Sequence, residues 1–409
     1  MGQAAQFARS GVRQVTDRRE VWITGVGLLT CLGEGLEAAW LHLERGDPPP
    51  YDDKTFAPNI VFPMRPMSFD KQIAKKSDQR QMETWQRVGV YAAGLALNDA
   101  GIAGNAELLD HTDMIVCAEG GERDLAVDTA ILAGMRKAER PGAFLNEHLM
   151  SDLRPTLFLA QLPNMLAGNI SLVHGVIGAS RTFLGEESAG LDAVRIAQAR
   201  IAAGQSEVTL VGGAYHGARW DVLLNIELSG MLLKPPFAPV WDRGPKGGLA
   251  LATMGAFLVL ESREHAQARG VRPRARIGPV LSDSRARQAG EIESTLRRLW
   301  KEISPSIDPK QAAVISGANG SEPATSAELS VLTEIGLPVR NPGTHIGHGI
   351  DTHFVACLGI TCAAIEHGKL FAPAGRGDRG DSPAALRQAA VTSVGAWRGE
   401  GMTLIERVD

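Results

Sequence analysis

Short apolar runs ending in glycine alternate along this chain with stretches whose apolar residues recur every three or four positions. Such a pattern predicts buried strands covered by helices on both faces. In the first part, residues 21–27, 113–118, 208–213 and 255–261 read as strands. Helices are expected over 35–44, over 82–100 with Gly101 as a stop, and over 162–173. Asp47-Pro48-Pro49-Pro50 opens a long loop lasting to about Lys76. The second part repeats the scheme with strands over 274–281, 312–317, 337–340, 389–395 and 402–407. Its helices fall over 291–303, 324–335 and 351–367. Two βαβ-rich halves joined near residue 265 predict an internal duplication of pattern, and an α/β fold.

Composition narrows the function classes. With 409 residues, 44% apolar and 22% charged, the chain can bury a large core. A formal charge of -4 gives no basic footprint, so nucleic acid is excluded as an expected partner. No run of 18 apolar residues is present, so no membrane span is expected. Residues 1–19 carry Arg9, Arg13, Arg18 and Arg19 without an apolar segment, which reads as a loose N-terminal arm. Cys31, Cys117, Cys357 and Cys362 sit in apolar surroundings without metal-ligand spacing. They read as buried small hydrophobes of a reducing, cytoplasmic compartment.

The candidate chemistry centres on residues 181–190. This stretch reads as a strand entering a tight turn, followed by an Ala-rich helix to about Gly204. An elbow of that kind presents one side chain at the positive end of a helix, where a thiol would be an activated nucleophile. Glu187 stands there instead. A carboxylate cannot replace a thiolate as a nucleophile there. Glu187 reads as a carboxylate satisfying N–H groups at a buried helix start, as a mimic of an occupied cysteine, or as the partner of His348. Glu186 points elsewhere from the same turn, so the pair does not form a two-carboxylate cleft. His345, His348, Asp351 and His353 are irregularly spaced, and no metal is expected.

Several segments together resemble the β-ketoacyl-acyl-carrier-protein synthases, condensing enzymes of the thiolase superfamily. They are residues 21–35, 85–102, Leu162-Pro163-Asn164-Met165-Leu166-Ala167-Gly168-Asn169, 199–213 and 258–270, and the similarity runs over about 20–409. The resemblance implies a thiolase-like fold of two βαβαβαββ halves in five layers, α-β-α-β-α. The divisions would be an arm over 1–19 and halves over 20–264 and 265–409. Such enzymes use a cysteine nucleophile, two histidines and a supporting lysine. Carried over, Glu187 stands at the nucleophile in Glu187-Ser188-Ala189-Gly190, and Ser316 at the first histidine in Ser316-Gly317-Ala318. Gly343 falls at or near the lysine, and His348 is the retained second histidine. The glycine-rich gate corresponds to Gly395-Ala396-Trp397-Arg398, which with Ser188 would line the substrate.

By that resemblance the chain is expected to have lost condensation and to act as a chain-length-factor-like subunit. Its partner would be a cysteine-bearing ketosynthase paralogue. The acyl chain would arrive on the phosphopantetheine arm of an acyl carrier protein, with no other cofactor. A malonyl-carrier decarboxylase using His348, or a module binding acyl carriers or thioesters, is the alternative. Very-long-chain fatty acyl and polyene or polyketide chains both remain open.

Overall fold

The computed structural model describes residues 18–409 apart from Glu119, Gly120 and Arg154. Ten strands form its frame. They are β1 (Val21–Thr30), β2 (Asp113–Cys117), β3 (Ser180–Phe183), β4 (Val208–His216) and β5 (Leu251–Ser262), then β6 (Ala275–Ile277), β7 (Ala312–Ile315), β8 (Val339–Arg340), β9 (Gln388–Val394) and β10 (Glu400–Glu406). The first five run in the order β1-β5-β4-β2-β3, and the second five in the order β6-β10-β9-β7-β8. In each set the first two pairings are antiparallel and the last two parallel. The same construction is therefore built twice. Antiparallel pairing of Val21, Trp22 and Ile23 with Ile277, Arg276 and Ala275 joins the sets into one hydrogen-bonded sheet.

Seven helices matter for the site: α1 (Thr84–Asp99), α2 (Met165–His174), α3 (Glu187–Ala202), α4 (Trp220–Glu227), α5 (Glu291–Ile303), α6 (Ala324–Ile335) and α7 (His353–His367). α1 and α2 cover the outer face of the first half, while α5 and α6 cover that of the second. α3 and α7 pack on each other and on strands of both halves, so they form the middle of five layers. That position explains their composition. Every residue of α7 from His353 to Ile365 is buried, so an apolar stripe on one side would not suffice. α1 needs a firm start, and Glu83 and Gln86 supply one as a reciprocal capping box.

Most element types follow the hydrophobic pattern, with bounds shifted by a residue or two. The expected strand over 274–281 is instead two short strands, β6 and Leu281–Asp283, the latter pairing with β10. The helix expected over 162–173 begins at Met165. Several helices go unannounced by periodicity, among them Leu125–Met135, Pro141–Ser151 and α4. Leu125–Met135 and Pro141–Ser151 bury little, so no apolar stripe marks them. Of the expected N-terminal arm, residues 1–17 lie outside the described residues, and the backbone N–H of Arg19 bonds Ala202 at 3.0 Å. All four cysteines are buried with free thiols. Among the described residues no helix is long and apolar enough to cross a membrane.

Candidate functional site

Gly185, at φ +138°, turns the chain out of β3 in a conformation that disfavours other residues. Glu186 stays outside the helical region, and α3 starts at Glu187. A first-turn carboxylate faces the positive helix end. Here it also faces inward, for Glu187 is 3% exposed. One oxygen, Oε1, accepts three hydrogen bonds of 3.0 Å, from His348 Nε2, Asn319 Nδ2 and the backbone N–H of Ala396. Burial pushes the Glu187 carboxyl up. The hydrogen bond and charge of His348, with the Ala396 amide, outweigh that and hold it below the usual carboxylate range. The group is thus an ionised carboxylate whose accepting oxygen is saturated.

Each donor arrives from a different part of the fold. His348 lies ahead of α7 and is stitched to the start of β5, its N–H bonding Ala250 and its carbonyl accepting from Ala252, at 2.8 and 2.9 Å. Asn319 sits in the loop after β7. Its Oδ1 accepts from the N–H and hydroxyl of Ser321, at 2.8 and 2.6 Å, which turns its NH2 group toward Glu187 and the Val394 carbonyl. Arg243 braces the same loop, donating to the carbonyls of Asn319 and Gly248 at 3.0 and 2.6 Å. Burial pushes the Arg243 guanidinium down to about 9, still charged at neutral pH. Neither Asn319 nor Arg243 is among the residues expected from sequence. The one available signal was that Asn319 follows three residues after Ser316.

Ser316 is not brought to Glu187. Its hydroxyl donates to Glu328 Oε1 at 2.8 Å and accepts from the Ala318 N–H at 3.0 Å. The Thr392 hydroxyl bonds the same Glu328 oxygen. Among the described residues no basic side chain is paired with Glu328, and burial pushes its carboxyl up to about 7. Below the ordinary value of 4.5 both folded and unfolded chains hold the proton. Between there and about 7 only the folded chain does, so stability falls as pH rises. Glu328→Gln is therefore expected to remove a loss of about 3 kcal/mol between pH 4.5 and 8. Urea titrations at the two pH values check this, and a pH dependence equal to that of the parent would contradict it.

Gly343 has no room for a long side chain. A Cβ there would lie 2.9 Å from Asn341 Oδ1, 3.3 Å from the Ala318 carbonyl and 3.4 Å from His353 Cε1. The gap between Gly343, Asn319, Arg243 and His348 is too narrow for a water molecule. His353 packs edge-on against His348 with ring centres 4.6 Å apart. Burial and the neighbouring His348 push it well down, so it is neutral. His345 is pushed down to about 4 by burial and by His42. Among the described residues no group of His, Cys, Asp and Glu is arranged to hold a metal.

The 395–399 segment between β9 and β10 closes the site. Its ends are joined by the Gly395 N–H bonding the Gly399 carbonyl at 2.8 Å. Ala396 turns its amide to Glu187. Trp397 packs beside Tyr215, Leu223, Ile226 and Ile350. Arg398 reaches out to Glu186, Nε to Oε2 at 2.9 Å. Ser188 lies under the end of this loop, its Cβ 3.0 Å from where a Cβ on Gly399 would sit. Trp397 and Glu186 line a cavity of about 540 Å³ together with Trp85, Tyr215, Arg219 and Ile350 among others. Of the sequence-predicted residues, Glu187, His348, Gly395 and Ala396 thus meet around one buried point, while Trp397 faces the neighbouring cavity. Ser188 and Arg398 flank it, and Ser316 belongs to the separate Glu328 cluster.

This arrangement contains no thiol nucleophile. Cys117 is fully buried, donates to the Asp351 carbonyl at 3.4 Å, and is pushed well above the usual thiol range by burial and by Asp351. His348 has the N–H that faces the site committed to Glu187.

Residues 18–266 match the family described as "Beta-ketoacyl synthase, N-terminal domain". The chain is 24% identical over 265 residues to "3-oxoacyl-[acyl-carrier-protein] synthase 2" of Vibrio cholerae, covering 62% of this chain and 61% of that protein. It thus spans about three fifths of the length of the first curated relatives it matches. Among solved structures it resembles "The ishigamide ketosynthase/chain length factor", with a TM-score of 0.77 at 19% identity, covering 96% of this chain and 100% of that one. It also resembles a type II polyketide acyl-carrier protein complex with its ketosynthase, at TM-score 0.72 and 16% identity, covering 96% and 100%. These structures share the thiolase-like fold of two alike halves that the strand orders display. By the match over residues 18–266, the chain belongs to the β-ketoacyl synthase family.

Proposed function

We propose that this protein is a non-condensing member of its family, a chain-length-factor-like subunit that pairs with a cysteine-bearing ketosynthase acting on acyl chains held by a carrier protein. The observation that carries this reading is the saturated Glu187 oxygen at the elbow. An atom already accepting from His348, Asn319 and Ala396 is neither a nucleophile for a thioester nor displaced without leaving a buried charge unpaired. The same three donors leave nothing free at that point to stabilise a thioester oxyanion. For that reason the geometry favours the subunit role over a decarboxylase relying on His348.

The edge of the sheet supports pairing. β3 ends the strand order and bonds only β2 among the described strands, so one row of its backbone groups is open. Ile177 and Leu184, which flank β3, are each 62% exposed. Exposed apolar residues beside an open edge fit a partner that continues the sheet. The carrier's phosphopantetheine arm would deliver the chain to the cysteine-bearing partner.

Co-expression with cysteine-bearing paralogues tests the proposal. Intact-mass analysis is expected to find acyl groups only on the partner, and product length is expected to change when this chain is withheld. An acyl adduct on this chain, or equal elongation without it, would refute the reading.

A further inference from the structure

Arg287 lies in the loop between Leu281–Asp283 and α5, far in sequence from the 395–399 segment, yet it grips that segment from behind. Its Nε donates to the Trp397 carbonyl at 3.1 Å and its Nη2 to the Gly395 carbonyl at 2.7 Å. Its Nη1 pairs with Glu400, whose side chain is only 1% exposed. A guanidinium is the one side chain that offers this many donors in a fixed plane, so a single residue ties two loop carbonyls to a buried carboxylate.

Two other tethers hold the same five residues. Ala396 N–H is bound to Glu187 on the inside, and Arg398 to Glu186 on the outside. The Arg398 pair is solvent-exposed and weak, whereas the Arg287 bonds are largely sheltered, with the Arg287 side chain 20% exposed. The loop meets Glu187 with its Ala396 amide and the cavity of about 540 Å³ with Trp397. Whatever fixes this loop therefore decides whether that cavity communicates with the elbow.

We propose that Arg287 is a positioning residue that latches the 395–399 loop shut and seals Glu187 from the cavity behind Trp397. The latch acts through carbonyls and Glu400 rather than through any reacting atom, and it stands whether or not the protein pairs with a ketosynthase.

A thiol placed at the elbow reads the latch directly. In the Glu187→Cys protein the Ala396 tether is already gone, so Arg287 is the main remaining hold. Alkylation by N-ethylmaleimide, followed by peptide mass analysis, measures how often the elbow opens. The four native cysteines, each about 1% exposed or less, serve as internal reporters of wholesale unfolding. Adding Arg287→Ala is expected to raise the labelling rate at position 187 roughly tenfold or more, with the native thiols unchanged. Arg287→Lys keeps the charge but not the fork, and is expected to give an intermediate rate. If the alanine protein does not fold, the lysine variant decides. An unchanged rate at position 187 in a folded variant, or a rise shared equally by the native cysteines, overturns the proposal.

Discussion

Replacing His348 by alanine is expected to destabilise the folded protein by about 2–3 kcal/mol, because it takes a hydrogen-bond donor from a buried, ionised carboxylate. Glu187 would keep Asn319 and the Ala396 amide but lose the His348 Nε2 donor at 3.0 Å. The pH dependence carries a sign. In the parent, the folded Glu187 pKa is depressed, so its contribution is fully present above the ordinary value of 4.5 and is lost as pH falls through the folded one. In the variant, burial acts with less opposition and raises that pKa. The gap between parent and variant should therefore widen from pH 4.5 to pH 7.5. Urea denaturation at both values measures it. A cost below about 1 kcal/mol, or a gap independent of pH, would mean that Glu187 is not the ionised, His348-bonded carboxylate that the geometry describes. Combining His348→Ala with Glu187→Gln should recover part of the loss, since the amide leaves no charge to strand.

Gly190→Ala is the second change with a large expected effect. A Cβ on Gly190 would stand 1.9 Å from the Asp351 carbonyl oxygen, far inside contact distance, and the obstacle is backbone. That carbonyl also accepts from the Cys117 thiol, so it cannot retreat without disturbing β2. The glycine lets α3 lie against the turn between His348 and α7, the approach that brings Glu187 and His348 together. Overpacking costs about 1–3 kcal/mol and more where backbone must move. We expect about 3 kcal/mol or a failure to fold, read as the shift in urea midpoint at constant slope. Gly168→Ala serves as a control, because the nearest atom to its added Cβ is Met165 Cε at 3.8 Å. Equal effects of the two substitutions would contradict the close-approach argument.

The two predictions concern residues that the sequence marked unequally. Glu187 and His348 stood out because each occupies a distinctive position in a recognisable motif, one substituted and one retained. Their contact across 161 residues of chain, at 3.0 Å, is a product of the two halves packing α3 and α7 in one layer. Ser316 follows directly on β7, and its place in the sequence says nothing about its rotamer. A serine is too short to span the distance a histidine would, so it satisfies its hydroxyl locally on Glu328. The longer Asn319 reaches Glu187 in its stead.

Periodicity and glycine placement, by themselves, determined the strands, the main helices and the repetition of one βαβ scheme, because burial on both faces writes continuous apolar runs into the chain. That a glutamate rather than a cysteine stands at the elbow is a matter of residue identity alone. Tertiary structure decided which donors meet at Glu187, that Ser316 turns away, that Arg287 grips the 395–399 loop, and that Leu125–Met135 and Pro141–Ser151 are helical. Those outcomes depend on side-chain reach and on contacts between distant segments, and neither leaves a local pattern in the order of the residues.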